Sequence, residues 1–342
     1  MGRKLGMHDV IVVGGGPVGL YAAGLCRKMG YDVLVIEEDR EIGKPLRCSG
    51  LISRNIEKFF PDIKSWDVVE NTVDSAVLHS RKSELVLRRP RAAYVINRPL
   101  FDKKIAKLAG CKIMLNRRVT GIKIKSDCAE ISTNSGVVTG RIALVCDGPN
   151  SLLAGRRNSV KGLIAITNNE SRASNVDLYF NKKLLRDGFF WRIPRGKTTE
   201  YGAWGSDVKF SDIDRFFGIK KYEKFAGMIP IGPAKKTYGE LTLLIGSSAG
   251  QVKPWSGGGV IYGLTCAEIA ARVVEKAFRF DDFSASVLSE YEREWKKTLA
   301  KQIKIGIVFR KFLRHSNDFQ IDVALRAGNI LSYSWMDMDF IV

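Results

Sequence analysis

The sequence predicts an α/β fold: a parallel sheet with a dinucleotide site, an antiparallel β-sheet domain inserted into it, and a helical C-terminal tail. Three observations predict it. These are a glycine-rich βαβ unit near the start, a middle segment of alternating strands and aromatic residues, and helical periodicity towards the end. With 342 residues, 45% of them apolar, the chain is long enough for two compact units with ordinary cores.

The first element is an apolar strand that runs directly into a glycine-rich turn. Residues 10–19 read VIVVGGGPVG, which places Gly14, Gly16 and Gly19 in G-x-G-x-x-G spacing and Pro17 at the start of a helix. Gly14 permits the tight turn, Gly16 lets backbone N–H groups approach a pyrophosphate, and Gly19 lets the helix pack on the strand. The helix N-terminus then faces the phosphate charge. This Rossmann-type pattern predicts a nucleotide site.

A second apolar strand, Asp32 to Ile36, ends in Glu37 and Glu38. At the tip of this strand a carboxylate can accept hydrogen bonds from ribose hydroxyls. We expect Glu37 to do so, with Glu38 beside it in the nucleotide site.

The remaining elements follow from periodicity and turn residues. The pattern predicts a strand pair (Val73–His79 with Leu85–Arg91), a helix (Arg98–Ala109) and three short strands (Val119–Gly140). It then predicts a separate strand (Arg141–Asp147), a long helix (Val260–Phe280) and further helices from Tyr291 onward. We predict a discontinuous nucleotide domain (1–72, 92–162 and 241–285), a substrate β-domain (73–91 and 163–240) and a C-terminal helical segment (286–342).

Composition indicates the compartment and the partners. None of the six cysteines stands in C-x-x-C spacing, and no signal peptide or bilayer-length apolar run is seen, so we expect a reduced, cytoplasmic protein. The three histidines have no metal-ligand spacing, so no metal is expected. The formal net charge of +19 favours nucleic acid, an anionic membrane surface or an anionic substrate.

Three separated motifs together resemble the FAD-binding framework of the para-hydroxybenzoate-hydroxylase-like flavoproteins over residues 8–280. They are the glycine pattern with Glu37, then Asp147-Gly148-x-x-Ser151, and then Gly246-Ser247-x-x-Gly250 followed by Pro254 and Gly257-Gly258-Gly259. The resemblance implies an FAD site, although Ser247 stands where these proteins usually carry an aspartate that binds the ribityl chain. A serine can still make such a hydrogen bond.

Within that superfamily, one loop resembles the P-x-x-C-x-G segment of the geranylgeranyl reductases, which saturate isoprenoid double bonds. It reads Lys44-Pro-Leu-Arg-Cys48-Ser-Gly50. The substrate motif of that family, Y-x-W-x-F-P followed by G-x-G, is similar to Phe189-x-Trp191-x-Ile193-Pro194 and Gly202-Ala-Trp204. The altered residues of the second motif change the expected substrate wall, and its Ile-Pro ending also resembles flavin-dependent halogenases.

The resemblance implies a role for each matched residue. Arg98 and Asp147 would contact FAD, and the glycines at 257–259 would let backbone approach the flavin ring at a helix N-terminus. Cys48 would lie beside the flavin as the candidate catalytic residue, with Lys44 and Arg47 favouring its thiolate if they lie close. The aromatic residues would line an isoprenoid tunnel, at Phe189, Phe190, Trp191 and Trp204. Each role has an alternative. Arg98 could be a solvated arginine at a helix end, and Asp147 could only form a turn. Cys48 could be a buried structural cysteine, and the aromatic residues could belong to the core.

The leading expectation is therefore an FAD-dependent reductase of geranylgeranyl chains on a phospholipid. One alternative is a flavin monooxygenase or halogenase, and a second is a flavoprotein that binds or modifies RNA, suggested by the charge alone although no nucleic-acid motif supports it. The electron donor is open between ferredoxin, a nicotinamide and a deazaflavin.

Residues 296–314 carry seven basic and no acidic side chains. They predict an amphipathic helix with lysines on one arc and apolar residues on the other, either packed on the core or docked on anionic lipid (Lys297, Lys301, Lys304 and Lys311 opposite Ile305, Phe309, Phe312 and Leu313).

Overall fold

The computed structural model describes residues 6–155, 157–331 and 338–339. Within them the chain forms two eight-stranded sheets and six α-helices. The helices are α1 (Pro17–Lys28), α2 (Arg98–Ala109), α3 (Phe210–Phe217), α4 (Val260–Phe280), α5 (Ala285–His315) and α6 (Asp318–Leu331).

The first sheet is the nucleotide-binding layer. Its strands run in the order β15-β16-β9-β1-β2-β6, with β8 beside β9 and β7 beside β8, and the pairs from β16 to β6 are parallel. The strands are β1 (Met7–Val13), β2 (Val33–Ile36), β6 (Lys112–Met114), β7 (Val119–Ile124), β8 (Ala129–Thr133), β9 (Gly136–Val145), β15 (Tyr238–Gly239) and β16 (Thr242–Leu244). Helices α1 and α4 pack together on this sheet, as a buried parallel sheet requires.

The second sheet is almost entirely antiparallel and forms the wall of the site. Its order is β14-β10-β13-β12-β11-β4-β5-β3, in which only β11 and β4 are parallel neighbours. The strands are β3 (Leu51–Ser53), β4 (Val69–His79), β5 (Glu84–Ile96), β10 (Ser159–Thr167), β11 (Asn175–Tyr179), β12 (Phe189–Pro194), β13 (Thr199–Gly205) and β14 (Glu223–Pro230). The two faces carry different apolar clusters, one of them turned towards the first sheet.

Several predicted elements are confirmed, and others are corrected. The helices at 98–109 and 260–280 are present with the predicted bounds. The separate strand at 141–147 is wrong, because residues 136–145 form one continuous strand whose apolar half is buried. Strand β5 also continues beyond the predicted end at Arg91. A β-bulge opposite β4 absorbs the break, and the Arg91 N–H is donated to Asp74 Oδ1 (2.7 Å). The domain boundaries stay a prediction.

The predicted basic helix is part of α5, but its apolar arc is not uniformly buried. Leu313 faces the core, whereas Phe309 and Phe312 are exposed. The buried position between them is taken by Arg310, which pairs with Asp187 (2.8 Å). Arg310 was not assigned to the predicted lysine arc, and its burial is possible because the buried partner Asp187 is available.

Candidate functional site

One large cavity lies between the two sheets. Its volume is about 1620 Å³, well above the roughly 300–1,000 Å³ of ordinary small-molecule pockets. It begins at the glycine-rich turn after β1, passes the Cys48 loop and the glycine-rich turn before α4, and ends against the aromatic face of the second sheet. A dinucleotide and a further ligand can therefore share one space.

The glycine-rich turn has the geometry that a bound pyrophosphate needs. Gly14 has a φ of +104°, and a Cβ there would lie 2.3 Å from the carbonyl oxygen of Cys146, so the turn tolerates no side chain. Gly16 precedes α1, Pro17 opens the helix, and all of these residues line the cavity together with Gly19. The first-turn N–H groups of α1 thus face a space large enough for phosphate.

The acidic residues after β2 lie where they were expected. Glu37 Oε2 accepts the Gly15 N–H (2.5 Å) and Oε1 accepts the Asp39 N–H (2.8 Å), while burial raises the pKa of this carboxyl. Glu38 is more exposed and pairs with Arg118 (3.2 Å). Both carboxylates line the cavity, and each oxygen of Glu37 retains a lone pair for a hydroxyl donor.

The turn after β9 contains one buried acceptor without a hydrogen-bond partner among the described residues. Asp147 Oδ2 accepts the Leu152 N–H (3.0 Å), but its buried Oδ1 has no hydrogen-bond partner in the described part of the chain. The Gly148 N–H is donated to Ser248 Oγ (3.1 Å), and Asp147, Gly148 and Ser247 line the cavity. A buried acceptor of this kind usually has a partner. FAD supplies hydroxyl donors, so the residues present fit FAD.

The loop around Cys48 differs from the expectation about its charges. Lys44 pairs with Glu41 (3.1 Å) and Arg47 with Asp39 (3.2 Å), so both predicted cations are engaged by acids. The cation at the thiol is instead Arg98.

Arg98 is buried and forms two hydrogen bonds to Asp102, from Nε (3.2 Å) and Nη2 (3.0 Å). Burial alone would lower the pKa of this guanidinium, but the charge of Asp102 and the contact with Cys48 raise it. Arg98 and Cys48 both line the cavity. The sequence therefore identified both residues but missed that they lie together.

The aromatic residues of β12 and β13 are divided between the two faces of the sheet. Phe189, Trp191 and Trp204 line the cavity, whereas Phe190 packs on the opposite face. Gly202 lies under the indole of Trp191, where a Cβ would come within 2.2 Å of the ring. Gly202 therefore leaves room for the Trp191 ring and does not itself line the cavity. Pro194 ends β12 and does not line the cavity either.

The other predicted glycines divide in the same way. The turn at Gly257, Gly258 and Gly259 lines the cavity and leads into α4. Four further predicted cofactor residues lie behind the wall and shape its turns, at Gly50, Gly246, Gly250 and Pro254.

Two buried ion pairs at the site were not anticipated. Lys253 lines the cavity and pairs with Asp339 (2.8 Å), a residue 86 positions further along the chain. Arg195 pairs with Glu200 (2.8 Å) behind Trp191. Burial raises the pKa of Glu200 to about 7, against the opposing effect of Arg195 and the Trp191 N–H. The motif spacings contained no signal for either pairing. Lys253 and Asp339 are 86 residues apart, whereas Arg195 and Glu200 meet across the turn between β12 and β13.

Comparison with known proteins agrees with this arrangement. Residues 12–49 match the family described as NAD(P)-binding Rossmann-like domain. The digeranylgeranylglycerophospholipid reductase of Methanocaldococcus jannaschii is 30% identical, over 94% of this chain and 90% of its own length.

Solved structures show the same fold. The geranylgeranyl bacteriochlorophyll reductase-like protein of Thermoplasma acidophilum superposes with a TM-score of 0.87 at 24% identity, covering 97% of this chain and 94% of its own. A halogenase in complex with FAD has a TM-score of 0.73 at 15% identity, covering 94% and 79%. The shared architecture thus extends to enzymes of different chemistry.

Proposed function

We propose that this chain, which belongs to the digeranylgeranylglycerophospholipid reductase family, binds FAD and saturates double bonds in the geranylgeranyl chains of a membrane phospholipid. The observation that carries the proposal is the continuous cavity. It joins the phosphate-binding turn at Gly14 to the apolar wall at Trp191. A dinucleotide and a hydrocarbon chain can therefore meet in one continuous space.

The residues of the cavity have separate tasks in this reaction. When bound, reduced FAD would supply a hydride to one carbon of the double bond, and a proton must reach the other carbon to complete the saturation. An isolated double bond has no carbonyl to polarise, so the protein contributes by holding the chain in place and excluding water. Phe189, Trp191 and Trp204 supply the apolar surface for the chain. Cys48, held beside Arg98, closes the cavity on the side of the Cys48 loop.

The electron donor is external in this proposal. The sequence contains one full G-x-G-x-x-G fingerprint, at Gly14 to Gly19, and FAD would occupy it. Ferredoxin, a nicotinamide and a deazaflavin are the candidate donors. Anaerobic bleaching of the bound flavin by each in turn identifies the one that is used.

A second part of the proposal is that the protein is cytoplasmic and docks peripherally on anionic membrane through α5 and α6. No helix in the described ranges is long and apolar enough to cross a membrane. The two helices nevertheless expose large apolar side chains, at Val308, Phe309, Phe312, Phe319 and Val323. Lys301, Lys304 and Lys311 are exposed on α5 beside them. Apolar side chains flanked by cations are typical of an interfacial helix, and Phe309 also lines the cavity, which gives the lipid a short path inward.

Vesicle sedimentation tests the docking surface. Each lysine near an anionic surface contributes ~1 kcal/mol. Replacing Lys301, Lys304 and Lys311 by Gln should therefore weaken binding to phosphatidylglycerol vesicles on the order of 100-fold. The matched control replaces three exposed lysines around α3 (Lys209, Lys220 and Lys221). Equal loss of binding in both triple variants would contradict the assignment to α5.

Lipid-dependent oxidation of the flavin tests the reductase itself. The FAD-loaded protein is reduced with dithionite, freed of excess reductant and mixed anaerobically with a digeranylgeranyl phospholipid. The proposal predicts that the oxidised flavin spectrum returns with this lipid and does not return with its fully saturated analogue. Return of the spectrum only on addition of oxygen, with an oxygenated or halogenated product, would overturn the proposal in favour of a monooxygenase or halogenase.

A further inference from the structure

We propose that the buried pair Arg195–Glu200 is a positioning element that fixes the substrate wall at Trp191 relative to the Cys48 loop. The inference rests on the proposed reductase function and deepens it. It concerns two residues that reach the reacting groups through others, Trp191 on one side and Ser49 on the other.

Glu200 joins the two sides with one carboxylate. It lies on β13 and is fully buried. Its Oε1 accepts the Trp191 Nε1–H (2.8 Å), and its Oε2 accepts an N–H of Arg195 Nη1 (2.8 Å). The indole rests over Gly202 on its other side. The ring of Trp191 is therefore fixed by a hydrogen bond at its edge and by backbone at its face.

Arg195 continues the connection into the loop. Its Nη1 also donates to the carbonyl oxygen of Ser49 (2.5 Å), the residue after Cys48. Its Nη2 donates to the carbonyl oxygen of Ile96 (3.3 Å) and pairs with Glu70 (2.7 Å). Ile96 ends β5 two residues before Arg98, the cation that contacts Cys48. One planar guanidinium thus holds both segments that carry the thiol and its cation.

Net stability alone does not account for this pair. A buried ion pair gains little over well-packed apolar residues, because the charges lose their hydration. The same sheet carries a second buried carboxylate, Asp177, whose partner Arg192 lies at 2.7 Å. Neither member of that second pair lines the cavity, and the other side-chain hydrogen bonds of Asp177, to His79 and Asn175, also go to residues outside the cavity lining. Both pairs join an arginine to a buried carboxylate, but they differ in what they hold, and Arg192 is partly exposed (42%) whereas Arg195 is buried (5%).

The reaction is sensitive to this kind of geometry. Hydride transfer to a hydrocarbon has no strong polar contact to orient the substrate, so the walls set the approach of the reacting carbon. A misplacement of about 1 Å can cost on the order of 100-fold in rate. A rigid link between Trp191 and the Cys48 loop keeps the distance across the cavity constant.

The test uses Glu200→Gln and Arg195→Lys in the FAD-loaded protein, with Asp177→Asn as the matched control. Glutamine has one acceptor oxygen and cannot serve both donors, while lysine lacks the fork that reaches two carbonyls. The first readout is the rate of Cys48 alkylation by iodoacetamide, followed by peptide mass spectrometry. Each test substitution removes a hydrogen bond to a charged group, so the Cys48 loop is held less firmly. We therefore expect Cys48 to be alkylated at least about tenfold faster in both test variants. The control should match the parent.

The second readout is kinetic. Both test variants should lose kcat for lipid saturation by on the order of 10- to 100-fold while retaining FAD, with a smaller change in KM. The inference is overturned if Cys48 alkylation is unchanged, or if Asp177→Asn alters alkylation and kcat as strongly as Glu200→Gln does. A parent protein that reduces no lipid defeats the proposed function instead, and the alkylation result still decides whether the two sides are linked.

Discussion

Replacing Lys253 by Met should destabilise the protein far more than the loss of an ordinary ion pair. Lys253 Nζ lies 2.8 Å from Asp339 Oδ1, and the two side chains are only 4% and 1% exposed. The Asp339 carboxylate also accepts hydrogen bonds from Ser53 and Asn55. The backbone carbonyl oxygen of Asp339 accepts a hydrogen bond from the Tyr262 hydroxyl (2.7 Å). The substitution leaves a carboxylate buried without its cation.

The expected cost is about 3–5 kcal/mol for Lys253→Met, because an uncompensated charge remains inside the protein. Asp339→Asn should cost a comparable amount for the same reason. The double variant should be more stable than either single variant, since no unpaired charge remains. The control is Lys276→Met, whose partner Glu290 is partly exposed, and its cost should stay below about 1 kcal/mol.

Urea unfolding of the FAD-loaded proteins at several pH values measures these differences. Burial alone would raise the pKa of Asp339, but Lys253 and the hydrogen bonds hold it below its ordinary value. Its contribution to stability is therefore present above the unfolded pKa of about 4 and is lost as the pH falls through the folded pKa. In Lys253→Met that carboxyl takes up a proton more easily, so the penalty should shrink towards pH 4. A pH-independent cost equal to that of Lys276→Met would refute the reasoning.

Further predictions concern the cofactor and the thiol. Glu37→Ala should weaken FAD retention by about 1.5–3 kcal/mol, because charge-assisted ribose hydrogen bonds are lost, and equilibrium dialysis with FAD measures it. Unchanged affinity would remove Glu37 from the ribose site. Cys48→Ala should keep the flavin spectrum and the unfolding midpoint but slow lipid saturation, since the thiol lines the cavity beside Arg98. Normal turnover in that variant would make Cys48 a structural residue.

The parts of the site that local sequence determines were predictable. At Gly14 and Gly19 a Cβ would collide with the carbonyl oxygens of Cys146 and Gly14, so the turn depends on the absence of side chains there and the glycine spacing alone identifies it. The helix that begins at Arg98 has a proline in its first turn and Asn97 as its cap, and both features are local.

The pairings across the cavity were not predictable in this way. Lys44 and Arg47 are the nearest cations to Cys48 in sequence, yet each has a closer acid on its own side of the loop. Arg98 approaches the thiol because β3 pairs with β5, which brings residues 50 apart along the chain into contact. Lys253 and Asp339 are 86 residues apart along the chain and meet only in the folded protein. Such contacts carry no periodic or motif signal.

Mass spectrometry of the lipid is the most direct test of whether this protein saturates geranylgeranyl double bonds. FAD-loaded protein is incubated anaerobically with dithionite and a digeranylgeranyl phospholipid, with Glu200→Gln and protein-free samples in parallel. We expect products that gain one hydrogen on each carbon of successive double bonds. The parent protein should form them rapidly and Glu200→Gln slowly. Lipid recovered with every double bond intact, from a protein that carries reduced FAD, would contradict it.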